Sequence, residues 1–219
     1  MKKLIIVFVK NPILGKCKTR LAKDIGEENA LDIYNQLLKH TAKVVSKVTS
    51  ADRAVFYSEN IQQNDFWEAS KFQKKVQSKG HLGQKMQTAF EWGFAKGYRS
   101  ICIIGSDLLA LKTTDIDKAF HHLVTANLVF GPATDGGYYL MGMNKLYEKA
   151  FENKAWSTET VLQKTLEAIN EKHISFLDTK TDIDTINDLM IYPEFHRFIP
   201  NAILKQHHER QTRENSKLP

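Results

Sequence analysis

The sequence has little cysteine and no long apolar run. Cys17 and Cys102 are its only cysteines, and Cys102 lies inside an apolar, strand-like segment. This usage suggests neither a disulfide framework nor a thiolate metal site, and it fits a reducing cytoplasm. No apolar run approaches the roughly 18 residues that cross a bilayer, so we expect a soluble, cytoplasmic chain without a membrane span. The apolar run at 4–9 is too short for a signal peptide, and Lys10 interrupts it.

The chain has somewhat fewer acidic than basic residues. The chain has 219 residues, and its 31 Lys and Arg against 25 Asp and Glu give a net charge of +6. Such an excess favours an anionic partner, which could be a nucleic acid, a lipid headgroup or a nucleotide. The aromatic residues are not interleaved with a basic stripe, as base stacking requires, so we expect no nucleic-acid partner.

Apolar segments alternate in type along the chain. Continuous apolar runs at 4–9 and 101–104 are typical of strands buried on both faces. Further strands are predicted at 54–57, 128–130, 138–143 and, at a sheet edge, 174–177. Apolar residues three and four apart predict helices at 27–48, 66–72, 86–94, 114–124 and 157–169. This alternation predicts an α/β fold with a mostly parallel central sheet.

Repeats, low-complexity blocks and Pro/Gly/Ser-rich linkers are absent from the sequence. We therefore expect a single domain over residues 1–204. The remaining residues, 205–219, form a polar segment ending in proline, and we expect this tail to be frayed.

The loop after the first strand is rich in cations. Ligands of such sheets bind beyond the carboxyl ends of the strands, and here the segment 10–20 holds four Lys and Arg residues around Pro12 and Gly15. Glycine permits close approach of a phosphate, and Lys and Arg supply its charge partners. A solvated basic turn has the same composition. The spacing excludes a P-loop, which needs Ser or Thr at Cys17 and Gly at Lys10.

Carboxylates stand at two further places. Asp107 follows the strand at 101–104, where it could hold a hard cation or cap a turn. Asp182 and Asp184 precede Thr185, which forms a capping box with Asp188 and thereby explains an acidic helix start without a metal.

The segment Asp135-Gly136-Gly137 precedes the strand at 138–143. Its flexible backbone and carboxylate suit close approach to a ligand and suit an ordinary tight turn equally well. None of the eight histidines has an obvious catalytic partner in the sequence.

Taken together, the motifs resemble those of a bacterial family of transferases. They are the segments at 10–22, 82–90, 105–107, 131–142, 156–158 and 182–185. In order and spacing they are similar to the GT-A-like family catalogued as domain of unknown function 2064, over residues 1–190. The resemblance implies the GT-A fold of nucleotide-diphospho-sugar transferases, a three-layer α/β/α sandwich. The first loop also resembles that of phospholactate guanylyltransferases.

The resemblance also implies roles for individual residues. Those that would face the nucleotide or its phosphates are Lys10, Gly15, Lys18, Thr19, Arg20, Gly136 and Gly137. Asp107 and Asp184 would hold Mg²⁺ or Mn²⁺, which makes Asp107 catalytic as well. Asp135 would orient the acceptor or act as a base. The chain departs from the family pattern at Leu109, where proline is usual, and at Cys17, where a small aliphatic residue is usual.

Three functions follow from this resemblance. Glycosyl transfer from a nucleotide-sugar to a small-molecule acceptor is the function with which the family is labelled. Nucleotidyl transfer from an NTP to a phosphorylated acceptor is the alternative, because Asp107 is followed by Leu108 and Leu109 rather than completing an Asp-x-Asp motif. A nucleotide-binding protein without catalysis is the third.

Overall fold

The computed structural model describes residues 2–152, 155–156 and 158–205. The chain divides into two compact units. The first comprises Met1–Asn11 and Leu37–Asp182, and the second comprises Pro12–Gln36 and Ile183–Pro219. The predicted single domain over 1–204 stays a prediction, and of the predicted tail only Lys205 lies within the described residues.

A seven-stranded sheet forms the first unit. Its strands are β1 (Lys3–Val9), β2 (Asp52–Tyr57), β3 (Gln73–Val76), β4 (Ser100–Ile104), β5 (Leu128–Pro132), β6 (Tyr138–Met143) and β7 (Ile174–Phe176). The order is β3-β2-β1-β4-β6-β5-β7. Among these strands β6 runs antiparallel to both its neighbours, and the other pairs are parallel. The predicted α/β fold with a mostly parallel sheet is therefore confirmed.

Helices pack on both faces of this sheet. The α-helices of the described residues are α1 (Thr19–Ile25), α2 (Glu27–Ser46), α3 (Leu82–Ala95), α4 (Thr113–His122), α5 (Val161–Ile169) and α6 (Ile186–Met190). Side chains of successive strand residues point to opposite faces. Leu4 and Ile101 pack with Phe90 of α3 on one face. On the other face, Cys102 and Leu123, the residue at the end of α4, both lie against Gly142. The continuous apolar runs of β1 and β4 are explained by this burial on two faces.

The second unit is helical. Within it α6 packs on α1 and on the 3-10 helix Pro193–Phe198. The predicted capping box opens α6, since the Thr185 backbone N–H and hydroxyl donate to Asp188 Oδ2 at 2.7 and 2.8 Å. In the part of the chain that the structure describes, every helix is too short or too polar to cross a bilayer.

The helix predicted at 66–72 is wrong. The segment is irregular and leads into β3. Asp65 fixes it, because its carboxylate accepts from the Trp67 backbone N–H at 3.0 Å and from Lys74 Nζ at 2.8 Å. The Asp65–Lys74 ion pair is almost fully buried. These tertiary hydrogen bonds outweigh the helical spacing of the apolar residues.

Two predicted helix starts are also displaced. The sequence predicts Thr114 and Asp117 as a capping pair for the helix at 114–124, and Ser157 or Thr158 as the cap of the helix at 157–169. Asp115, rather than Asp117, accepts from a cap N–H at the start of α4, that of Lys112 at 2.8 Å. In the other case α5 begins at Val161, and Thr158 instead donates its hydroxyl to the Ala155 carbonyl at 2.9 Å. Ser157, the other predicted cap, lies outside the described residues.

Asn11 connects the end of β1 to the loop that follows β2. It is 3% exposed. Its Nδ2 donates to the Asn60 carbonyl at 2.8 Å, and its Oδ1 accepts from the Glu59 N–H at 2.9 Å. The amide thus serves as both donor and acceptor at one edge of the sheet.

Replacing Asn11 with alanine should therefore destabilise the protein by about 2 kcal/mol, because buried polar groups of the loop lose their partners. Urea unfolding measures this cost, and amide hydrogen exchange at Glu59 and Asn60 should quicken. The exposed Asn64 provides the control, and Asn64→Ala should leave both measurements near those of the unmodified protein. Equal effects of the two substitutions would contradict the structural role of Asn11.

Candidate active site

The strand order places a crevice beside β1 and β4. From β1 the chain proceeds outward to β2 and β3 on one side, whereas β4 begins the other half of the sheet. At such a reversal, the loops after the two strands diverge and leave room for a ligand. The parallel register pairs Val7 with Ile104, so both strands end at the same edge. A cavity of about 200 Å³ opens here, lined by Phe8 of β1 and Ile104 of β4.

Most of the cavity wall is apolar. The side chains that form this apolar wall include Phe8, Leu82, Met86, Tyr138, Trp156 and Val161. Three carboxylates also line it, those of Asp107, Asp135 and Asp182. Among the described lining residues there is no Lys, Arg or His. The described lining is therefore mostly apolar, and the charged side chains in it are all carboxylates.

Asp107 and Asp182 form a carboxylate pair. Asp107 stands three residues beyond the end of β4, and both residues are partly buried. Each offers a carboxylate oxygen within 4.8 Å of one from the other. Hard divalent cations prefer such oxygens, so a small adjustment of either side chain would let one ion bind both. Asp182 was not predicted as a site residue, and its position in Asp182-x-Asp184 was the signal available in the sequence.

Asp135 and Gly137 lie in the loop from β5 to β6. The Asp135 carboxylate accepts from the Gly137 backbone N–H at 2.9 Å, which makes a tight turn. Asp135 is exposed, and both residues line the cavity. The predicted tight turn is therefore present in a segment that lines the cavity, and contact of this segment with a ligand stays a prediction.

Gly136 has a structural task. Its φ of +83° requires glycine, and a Cβ there would meet the Glu159 carbonyl oxygen at 1.9 Å. Its own carbonyl accepts from the Leu162 N–H at 3.1 Å. Gly136 therefore docks the loop onto the start of α5, and among the described residues it is Gly137 that lines the cavity.

Two aromatic wall residues carry buried polar atoms. Within the described part of the chain, Trp156 Nε1 has no hydrogen-bond partner. The Tyr138 hydroxyl lies near the side chain of Thr165 but makes no hydrogen bond of ordinary geometry. Burial raises the pKa of Tyr138 far above its usual range. The phenol is therefore neutral, and Tyr138 and Trp156 contribute aromatic surface to the cavity wall.

In the second unit, three predicted site residues come together. Lys18 adopts a left-handed backbone (φ 49°) immediately before α1. Its Nζ donates to Asp184 Oδ1 at 2.7 Å, with the lysine side chain 5% exposed. Arg20 donates to Asp184 Oδ2 at 2.9 Å and is 64% exposed. The two cations predicted to face phosphates are thus paired with the carboxylate predicted to bind metal.

The other predicted phosphate-binding residues of the basic loop belong to different units. Lys10 is exposed in the first unit, one residue past β1. Gly15, with φ of +73°, and Thr19, the first residue of α1, belong to the second. Their roles toward a nucleotide stay predictions.

Solved structures that share this fold include a candidate transferase, a synthase and a manganese complex. A candidate nucleotide-diphospho-sugar transferase from Desulfovibrio desulfuricans G20 is 28% identical, with a TM-score of 0.77 over 89% of this chain and 88% of that one. The 4-diphosphocytidyl-2C-methyl-D-erythritol synthase from Anaerococcus prevotii DSM 20548 is 10% identical, with a TM-score of 0.60 over 90% and 96%. A manganese complex of Rv0371c from Mycobacterium tuberculosis H37Rv is 9% identical, with a TM-score of 0.55 over 89% and 99%.

These likenesses confirm the predicted nucleotide-diphospho-sugar transferase fold. No curated protein matches the chain. A family match covers residues 41–158, which is more than half of the sequence. The chain therefore belongs to the family described as uncharacterized protein conserved in bacteria (DUF2064).

Proposed function

We propose that this protein is a divalent-metal-dependent transferase that moves a glycosyl group from a nucleotide-sugar to a small-molecule acceptor. The observation that carries the proposal is the carboxylate pair Asp107 and Asp182, at the carboxyl edge of β4 in an apolar cavity. Strand-end carboxylates beside a cavity are suited to a cation that neutralises a diphosphate leaving group.

The cation in this proposal is Mg²⁺ or Mn²⁺. Asp107 and Asp182 would hold it, and Asp184, two residues further along the chain, is the third candidate ligand. Rv0371c, which shares the fold, was solved with manganese. A bound divalent cation supplies positive charge where the diphosphate gains negative charge.

The donor diphosphate would also be held by the basic loop. Lys18 and Arg20 already converge on one anionic group, the Asp184 carboxylate. Convergence of a lysine and an arginine on two oxygens of one group is the geometry that a phosphate requires. Lys10, Gly15 and Thr19 of the same motif, together with Gly136 and Gly137, complete the proposed nucleotide contacts.

Asp135 would act on the acceptor. An acceptor hydroxyl oxygen forms a bond to the anomeric carbon while the bond from that carbon to the diphosphate oxygen breaks. The nucleoside diphosphate leaves, and the hydroxyl proton passes to the Asp135 carboxylate, which is exposed in the cavity wall.

Nucleotidyl transfer is the second candidate. The cytidyl-transferring synthase that shares the fold supports it, as does the sequence Asp107-Leu108-Leu109, which lacks a second adjacent carboxylate. A non-catalytic nucleotide-binding protein is the third.

A thermal-shift panel of the four NTPs, the nucleoside diphosphates and common nucleotide-sugars, each with and without Mn²⁺, tests the proposal. Ligand at about 100 times its Kd stabilises by about 2.7 kcal/mol. We expect a Mn²⁺-dependent shift with one nucleoside diphosphate and its sugar. A shift with an NTP alone would favour nucleotidyl transfer. No shift with any of these nucleotides would contradict the proposed function.

Arg20→Ala should weaken donor binding by about 1.5 to 3 kcal/mol, because a charge-assisted hydrogen bond to phosphate is lost. Isothermal titration with the donor found in the panel measures this. Lys23, an exposed cation one turn further along α1, is the matched control. Equal losses from Arg20→Ala and Lys23→Ala would indicate a general charge effect and contradict the assignment of Arg20.

A further inference from the structure

Lys18 occupies a position that local structural preferences disfavour. Its backbone is left-handed, with φ of +49°, although a β-carbon makes this region costly. It is also the N-cap of α1, where a short polar side chain usually accepts a backbone N–H, and its own side chain makes no such bond. Violations of local preference concentrate at functional sites, where tertiary interactions override them. The Lys18 side chain instead reaches the Asp184 carboxylate.

The Asp184 carboxylate contacts two cations of the basic loop at once. Its Oδ1 accepts from Lys18 Nζ at 2.7 Å, and its Oδ2 accepts from Arg20 at 2.9 Å. A phosphate group presents the same kind of oxygen acceptors, three in number, with up to about twice the charge of a carboxylate. The carboxylate and a phosphate group would therefore compete for the same two donors.

The arrangement allows a phosphate group to replace the carboxylate. Arg20 is mostly exposed, whereas Lys18 is almost fully buried, so an anion from solvent meets the arginine first. The Asp184 backbone is anchored separately, because its N–H donates to Asp188 Oδ2 at 3.1 Å. Rotation of the Asp184 side chain would thus withdraw the carboxylate from both cations and leave the start of α6 in place.

We propose that Asp184 is an internal competitor of the phosphate group, which its carboxylate excludes from Lys18 and Arg20 until it is displaced. This inference rests on the proposed function, because it takes these two side chains as the phosphate-binding cations. It adds regulation to that function, since the donor binds in exchange for the carboxylate. The displaced carboxylate is then available as the third candidate ligand of the divalent cation. The affinity for a phosphate is reduced in proportion to the fraction of molecules in which the carboxylate has already moved.

Pyrophosphate binding to the full-length protein in EDTA tests this competition. We expect Asp184→Asn, which keeps the shape of the side chain but removes its charge, to bind at least about tenfold more tightly than the unmodified protein. Asp32→Asn is the matched control, because Asp32 is an exposed carboxylate of α2 in the same unit. Solvent screens its charge, so this variant should change the affinity by less than about twofold. Isothermal titration measures all three proteins.

Unchanged or weaker binding by folded Asp184→Asn, equal gains in the two variants, or no binding to any of the proteins would overturn the inference. A second measurement needs no substitution. In the unmodified protein, the backbone amide resonances of Asp184 and Arg20 should shift together as pyrophosphate is added, while that of Asp32 stays in place. An Asp184 resonance that stays in place while that of Arg20 shifts would also overturn the inference. The donor panel reports the proposed function separately, because it uses nucleotides and Mn²⁺, which these titrations lack.

Discussion

Asp107→Asn is expected to abolish the Mn²⁺-dependent thermal shift and to lower transfer activity at least about 100-fold. The substitution keeps the shape of the side chain but removes the charge that a hard cation prefers, and charge stabilisation by such a cation is worth several kcal/mol. Asp182 would then have an amide beside it in place of a second carboxylate. Mn²⁺ titration, followed by turnover with the donor from the panel, measures both effects.

Asp117→Asn is the control for this substitution. Asp117 lies on α4, and its carboxylate accepts from the Ser50 hydroxyl at 3.0 Å. An asparagine oxygen can accept the same bond, so metal affinity and activity should remain as in the unmodified protein. Unchanged Mn²⁺ affinity in Asp107→Asn would contradict the metal site, whatever the activity shows.

Gly136→Ala is expected to destabilise the protein by more than about 4 kcal/mol, a loss that few single substitutions reach. Two costs combine. A side chain at φ of +83° is strained, and the added Cβ would overlap the Glu159 carbonyl oxygen at 1.9 Å. Because that oxygen belongs to the backbone, relief requires the loop and the start of α5 to separate. Urea unfolding gives the free energy.

Gly97 separates the two costs. Its φ is +82°, and a Cβ there has no atom within 4 Å. Gly97→Ala should therefore show the conformational cost alone, about 1 to 2 kcal/mol. The difference between the two variants measures the overlap with Glu159. Equal losses would mean that the loop yields freely and that Gly136 does not dock it.

The strands and the long helix could be predicted because their patterns are local. Segments 4–9 and 101–104 are apolar without interruption, which burial on both faces demands. The start of α6 could likewise be predicted from Thr185 and Asp188, which are three residues apart and form a capping box. The segment at 66–72 was predicted wrongly because its conformation depends on hydrogen bonds of Asp65, including one from Lys74. The spacing of apolar residues contains no information about these polar contacts.

The candidate site was predictable in part for the same reason. Asp107 follows an apolar strand, so its place at the ligand-binding edge could be inferred. Asp182 follows β7 by six residues without a regular element between, and its arrival in the same cavity depends on the folded chain. The pairing of Lys18 and Arg20 with Asp184 spans more than 160 positions, and only the fold of the second unit brings them together.

The reversed direction of β6 has a practical consequence for engineering. Because β5 and β6 are antiparallel neighbours, the segment 133–137 that carries Asp135 is a hairpin connection. Hairpin tips tolerate exchange, because the flanking ladder keeps its register when the tip changes. Under the proposed function, this five-residue segment is therefore the place to graft sequences from relatives in order to change acceptor selectivity, provided that the graft keeps glycine at position 136.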